Sequence, residues 1–151
     1  MRSCKPFTTP SSRDDIKESQ AEMDELASPA SVLSYESALI RSEDQENVIH
    51  GLDYLSNNKF EEQDQKVKTV YLKVLALYRL KRDKECLKVI QEAKDQSISS
   101  AEIDQIRDTI TKEQEKEQND KIVTGVGIGA TILVGIATLT AIIFGSKSRR
   151  K

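Results

Sequence analysis

The chain has 151 residues, 32% of them charged and only 5% aromatic, with a formal net charge of −2. That length allows one domain, and so much charge with so few aromatics fits a solvated helical domain and argues against a β-sandwich. No acidic residue follows Asp120, and four basic residues, Lys147, Arg149, Arg150 and Lys151, gather at the C-terminus. The remainder therefore carries 19 basic against 25 acidic side chains, a mildly acidic body without the basic face that nucleic-acid binding needs.

Residues 1–13 open the chain with Ser, Thr and Pro and read as a mobile tail. They contain no apolar stretch of the secretory type, and Pro6 and Pro10 would interrupt a helical presequence. The two cysteines, Cys4 and Cys86, have a spacing that matches neither a zinc site nor a redox pair. A reducing compartment is the plain reading.

A cytosolic helical domain is expected over 14–111. The first helix spans Asp14 to Leu26, with a weak stripe of Ile16, Met23 and Leu26. Ser28-Pro29 starts the second helix, a capping serine followed by a proline whose missing N–H costs nothing at that position. Ser42 and Gln45 are spaced as a capping box and open the third helix, which ends near Leu55. Asn57 and Asn58 mark a loop. The fourth helix covers about Glu61 to Lys81, and a turn near Arg82-Asp83 leads to a fifth that ends near Lys94. Ser99 and Glu102 form another capping box, and Ile103, Ile106 and Ile110 put one apolar stripe on the sixth helix. Beyond Thr111 that helix turns wholly polar, so 112–121 reads as a solvated stalk.

Residues 122–144, Ile122 to Phe144, carry no charge at all. As a helix they reach roughly 34 Å, against a hydrocarbon core of about 30 Å, so the segment reads as a transmembrane anchor. A helix buried on all sides finds no room in so small a domain. Lys121 and Lys147 flank the run and are placed to snorkel to the two interfaces. The run is only moderately hydrophobic, with four glycines and four threonines, and the short basic tail 145–151 follows it. In both respects it resembles anchors of the mitochondrial outer membrane and of peroxisomes. The tail ends in Arg150-Lys151, not in the peroxisomal Ser-Lys-Leu address. Gly125 and Gly129 form a small-xxx-small pair, a candidate helix–helix contact through which the anchor would form a homo-oligomer. The general frequency of glycine in membrane helices is the plainer reading.

The second and third helices look like a copy of the fourth and fifth. A shift of 35 residues puts Leu39-Ile40 on Val74-Leu75, Gly51-Leu52 on Cys86-Leu87 and Tyr54-Leu55 on Val89-Ile90. A helical hairpin of about this period is the tetratricopeptide unit. Gly51 and Cys86 take the slot where the second helix of each hairpin needs a small residue, facing Leu39 and Val74. The expected fold is all-α: a six-helix bundle with two tetratricopeptide-like hairpins plus one C-terminal transmembrane helix. Two repeats are few for stability, so the first and sixth helices must cap the ends.

The fourth helix is apolar on two faces, Val70, Val74 and Leu77 on one and Tyr71, Leu75 and Tyr78 on the other. Such a helix is either sandwiched in a core or lines a groove. By repeat position, Tyr71, Leu75 and Tyr78 fall in a concave partner-binding groove together with Glu36 and Ile40. The alternative is that the first helix or the N-terminal tail covers them permanently.

Tyr35-Glu36-Ser37-Ala38-Leu39-Ile40-Arg41-Ser42, with Gly51 nine residues on, resembles the first repeat of the mitochondrial fission 1 protein family. Tyr78-Arg79-Leu80-Lys81 and Lys84-Glu85-Cys86-Leu87-Lys88 resemble its second. The likeness covers about residues 30–151, with Lys73 and Cys86 standing where the family pattern has an apolar residue and alanine. It implies an adaptor on the outer membrane of mitochondria and on peroxisomes, with its N-terminal domain facing the cytosol. In that family the groove recruits fission adaptors or a dynamin-type GTPase, and an N-terminal arm can occupy the same groove.

No enzyme chemistry is legible. His50 is the only histidine, which leaves no histidine pair for a metal, and no phosphate-cradling glycine loop precedes a helix in the soluble part. Cys86 lacks a placed base and fits the small slot better than a nucleophile. No cofactor is expected. Two other readings compete with the fission adaptor. One is a tail-anchored tetratricopeptide receptor for protein import. The other is a SNARE-like fusion protein, which needs a long heptad run where this chain breaks into short capped helices.

Overall fold

The structure, a computed structural model, describes residues 1–5 and 7–123. Met1–Glu115 form one compact unit and Lys116–Lys151 a second. Six helices make up the described residues: α1 (Arg13–Leu26), α2 (Pro29–Arg41), α3 (Gln45–Asn57), α4 (Gln63–Arg79), α5 (Asp83–Asp95) and α6 (Ala101–Val123). The expected anchor, apart from its first two residues at the end of α6, lies outside the described residues, as do Gly125, Gly129 and the basic tail. No described helix is long and apolar enough to cross a membrane.

Local chemistry sets the helix ends. The Ser12 hydroxyl accepts the Asp15 N–H at 3.2 Å while the Asp15 carboxylate accepts the Ser12 N–H at 2.7 Å, a reciprocal cap that opens α1. Ser28 opens α2 with Pro29 behind it, its hydroxyl accepting the Ser31 N–H at 3.1 Å. Two expected caps fall elsewhere. Ser42 ends α2, and its hydroxyl is taken by the Asp44 N–H at 3.1 Å and by Asn47 Nδ2 at 2.9 Å. Asp44 therefore caps α3, accepting the Glu46 N–H at 2.9 Å. At α6 the hydroxyl that accepts the Ile103 N–H, at 3.3 Å, belongs to Ser100, one residue after the expected Ser99.

Both α4 and α5 end in a left-handed residue that is not glycine. Lys81 (φ 59°) donates its N–H to the Tyr78 carbonyl, and Arg82 donates to that of Leu77. Ser97 (φ 60°) donates to Lys94, and Ile98 to Ala93. These paired bonds satisfy the last carbonyls of each helix, and Ile98 turns back to be buried, 6% exposed.

The hairpins α2–α3 and α4–α5 pack side by side, with α4 against both α2 and α3. Ile103, Ile106 and Ile110 of α6, at helical spacing and at most 2% exposed, join the same core. Helix α1 packs on α2 and fully buries none of its residues. Leu26, expected on its apolar stripe, is 58% exposed, because the helix ends there at the left-handed Ala27.

The repeat is visible as two close approaches 35 residues apart. A Cβ on Gly51 would lie 2.7 Å from Ile40 Cγ1 and 3.1 Å from Leu39 Cβ, so α3 crosses α2 at the distance of a bare backbone. In the second hairpin Cys86 is fully buried, and its thiol donates to the Val74 carbonyl at 3.3 Å. Burial pushes the Cys86 thiol up to about 12, which leaves it an inert packing group at neutral pH.

Gly51→Ala sets a gain in helix propensity of about 1 kcal/mol against overpacking on buried Ile40 of about 1–3 kcal/mol. We expect a net loss near 1 kcal/mol, read as a fall of about 4 °C in a thermal melt followed by circular dichroism. An unchanged or higher melting temperature would show that α3 does not ride on α2 at this point.

Candidate partner-binding groove

The faces of α2 and α4 that carry the predicted groove residues do not stand open. The expected mobile tail takes a defined course over the C-terminal ends of α2 and α4. Phe7 and Thr8 donate their N–H groups to the Cys4 carbonyl at 2.9 and 3.1 Å, folding the arm into a turn. Cys4 is 1% exposed, its thiol 3.9 Å from the Arg41 carbonyl. The Ser11 N–H donates to the same carbonyl at 3.1 Å, where Ser11 and Ser42 form an isolated parallel bridge.

Tyr78 and Arg79 at the end of α4 hold the start of the arm. The Arg2 N–H donates to the Arg79 carbonyl at 2.8 Å, and Arg79 Nε donates back to the Arg2 carbonyl at 3.3 Å. The Arg2 guanidinium lies 4.6 Å from the Tyr78 ring centroid. It pairs through both terminal nitrogens with the Asp83 carboxylate, the Nη2 to Oδ2 distance being 3.0 Å, and through Nη2 with Glu113 at 2.9 Å. The Asp83 hydrogen bond holds the guanidinium above its ordinary range. The Tyr78 hydroxyl donates to Glu113 at 3.2 Å, and its ring meets Phe7 edge to face at 5.2 Å between centroids. Burial, then the Glu113 charge, raises the Tyr78 hydroxyl.

Of the predicted groove residues, the structure thus brings Tyr78 to the arm. Ile40 and Leu75 lie beneath, fully buried, and Ile40 contributes its carbonyl to Arg79 Nη1. Tyr71 is half-buried in the wall of a pocket of about 350 Å³ that opens beside Phe7, between Asp64, Val67 and Lys68 of α4 and the α6 start at Ser100 and Glu102. Glu36 is fully buried against Asn58, whose amide donates to its Oε1 at 2.7 Å, and its Oε2 has no partner. Burial raises the Glu36 carboxyl, with the Asn58 bond opposing. Arg2, Phe7, Arg79, Asp83 and Glu113 were absent from the predicted site. Glu113 belonged to the expected stalk, yet it is half-buried in the first unit because Arg2 reaches it. Among the described residues, no group of three or more His, Cys, Asp or Glu side chains is placed to hold a metal ion.

Two stacked helical hairpins capped at both ends define a tetratricopeptide-like, all-α fold. It is the fold of the fission protein Fis1. The crystal structure of Fis1 from Saccharomyces cerevisiae matches with a TM-score of 0.64 and 14% identity, over 81% of this chain and 98% of that chain. Yeast Fis1 in complex with an Mdv1 fragment containing N-terminal extension and coiled-coil domains matches at 0.62 and 14%, over 78% and 96%. The resemblance read from the two repeat motifs is met at the level of the fold. No protein-family signature and no curated protein sequence matches the chain.

Two outcomes follow from the buried groups. A carboxyl raised by burial favours the neutral folded form, so its contribution to stability is present below the unfolded value near 4.3 and lost as pH rises through the raised folded value. Glu36→Gln should therefore exceed the wild type by about 1 kcal/mol at pH 7, with the gain vanishing below about pH 4; equal stability across that range would contradict a buried, part-satisfied carboxylate. Arg2→Ala removes a charged hydrogen-bond fork and a cation–π contact, roughly 2 kcal/mol of arm docking, so Cys4 should react with a maleimide about 30-fold faster. Cys86 serves as the slow internal control, and an unchanged Cys4 rate would mean that Arg2 does not latch the arm.

Proposed function

We propose that the protein is a membrane adaptor for organelle fission, presenting its groove at the outer surface of mitochondria and peroxisomes. The observation that carries this reading is the shared fold with yeast Fis1, one structure of which holds a fragment of Mdv1. Fold alone does not determine function, and the groove adds to the case. The N-terminal arm bonds to the carbonyls that end α2 and α4 and packs Phe7 on Tyr78, so a segment of the chain itself already occupies this surface. In this reading the arm gates access, and a fission adaptor or a dynamin-type GTPase is recruited when the arm lifts. Residues 122–144 hold the protein in the membrane, and Lys147, Arg149, Arg150 and Lys151 direct it to the correct one.

The test is deletion in cells followed by imaging. Elongated, undivided mitochondria or peroxisomes, restored by the intact chain and not by a chain ending at Lys121, are the expected result. Organelles of normal shape with impaired protein uptake would replace the fission reading with that of an import receptor.

A further inference from the structure

Any ligand that takes the groove in place of the arm meets what Arg2 leaves behind. Tyr78, Asp83 and Glu113 come from α4, α5 and α6 and converge on one guanidinium. The Asp83 side chain is 22% exposed and that of Glu113 41%, and among the described residues Arg2 is the cation paired with each. With Arg2 gone, two carboxylates and the ring face of a tyrosine share one clamp with no positive charge in it. A neutral or acidic occupant would strip water from both carboxylates and return no counter-charge, so it is selected against. The arm's turn at Cys4 brings Phe7 onto the same tyrosine, so an apolar contact stands beside the clamp.

Resting on the reading of the groove as the partner site, we propose that it selects partner segments that present an arginine to the Tyr78–Asp83–Glu113 clamp and, about five residues away, an aromatic side chain to the Tyr78 ring. The arm is then a template of the ligand it excludes. Arginine suits the clamp better than lysine. Its planar fork reaches both oxygens of one carboxylate while its face lies on an aromatic ring, the arrangement Arg2 adopts.

The test uses the full 151-residue chain in detergent micelles, with the arm unlatched by Arg2→Ala and Phe7→Ala. The probes are displayed random nine-residue peptides, challenged with a synthetic peptide of residues 1–9 as competitor. Competed peptides should be enriched in arginine with an aromatic near the arm's spacing. Changing that arginine to glutamine in the best peptide should weaken binding at least tenfold, and the difference should disappear in a chain that also carries Asp83→Asn and Glu113→Gln. Glu113→Gln alone, at a half-exposed position, substitutes if the double change lowers helicity. Competed peptides without a basic residue, or an arginine preference that survives the carboxylate changes, overturn the inference and leave the groove reading intact. A complete absence of competed peptides overturns both.

Discussion

A buried guanidinium, hydrogen-bonded to carbonyls and to no carboxylate among the described residues, holds this fold together. Arg79 is 1% exposed, and it is satisfied by two carbonyls, that of Ile40 on α2 and that of Arg2 in the arm. Burial lowers its affinity for the proton, though not enough to discharge an arginine at any physiological pH. A charge in that position must be hydrogen-bonded, so the first hairpin, the second hairpin and the N-terminal segment are fixed by one side chain. The reciprocal bond from Arg2 back to the Arg79 carbonyl closes the link. Docking of the arm is therefore coupled to the junction of the repeats, and the arm is part of how the α2–α4 seam is satisfied.

The rest of the architecture follows from short range. Gly51 lets α3 approach α2, and buried Cys86 does the same for α5 on α4. Side by side, the two hairpins leave apolar faces at both ends and along the groove. Three isoleucines of α6 and the half-buried Ile16 and Met23 of α1 cover the ends. Phe7 and Cys4 cover the groove. A two-repeat array is below the usual minimum for such stacks, and here α1, α6 and the arm supply neighbours from outside the repeats.

The repeat units were legible because their signals are local and redundant: a serine before a proline at α2, isoleucines at helical spacing on α6, a small residue recurring 35 positions on. Cap identity was less legible where serines and acids crowd. Ser42 matches the capping-box pattern with Gln45, yet Asp44 caps α3, because the Ser42 hydroxyl is taken by the Asp44 N–H and Asn47 at the end of α2. A covering N-terminal tail was legible only as the alternative to an open groove, and the way it attaches was not legible at all. Its attachment rests on single side chains, Arg2, Cys4 and Phe7, and on backbone bonds to Arg79 and Arg41, none of which leaves a periodic trace in a Ser/Thr/Pro-rich segment. Glu113 escaped notice because a lone acid in a polar helical run looks like every other solvated charge. Lys81 and Ser97 hold left-handed conformations where glycine is the usual choice, so neither helix end carried its customary mark.

The arm also sets a threshold. It is tethered directly to α1, so the groove meets it at an effective concentration on the order of millimolar, whatever the cellular abundance of the protein. A free ligand with the same contacts, present at micromolar levels, would lose that competition nearly always. Ligands that bind two or more copies at once gain an avidity that a monovalent one lacks. On the proposed reading of the groove as a partner site, isolated copies would stay shut and a dense cluster on one surface would admit a multivalent ligand.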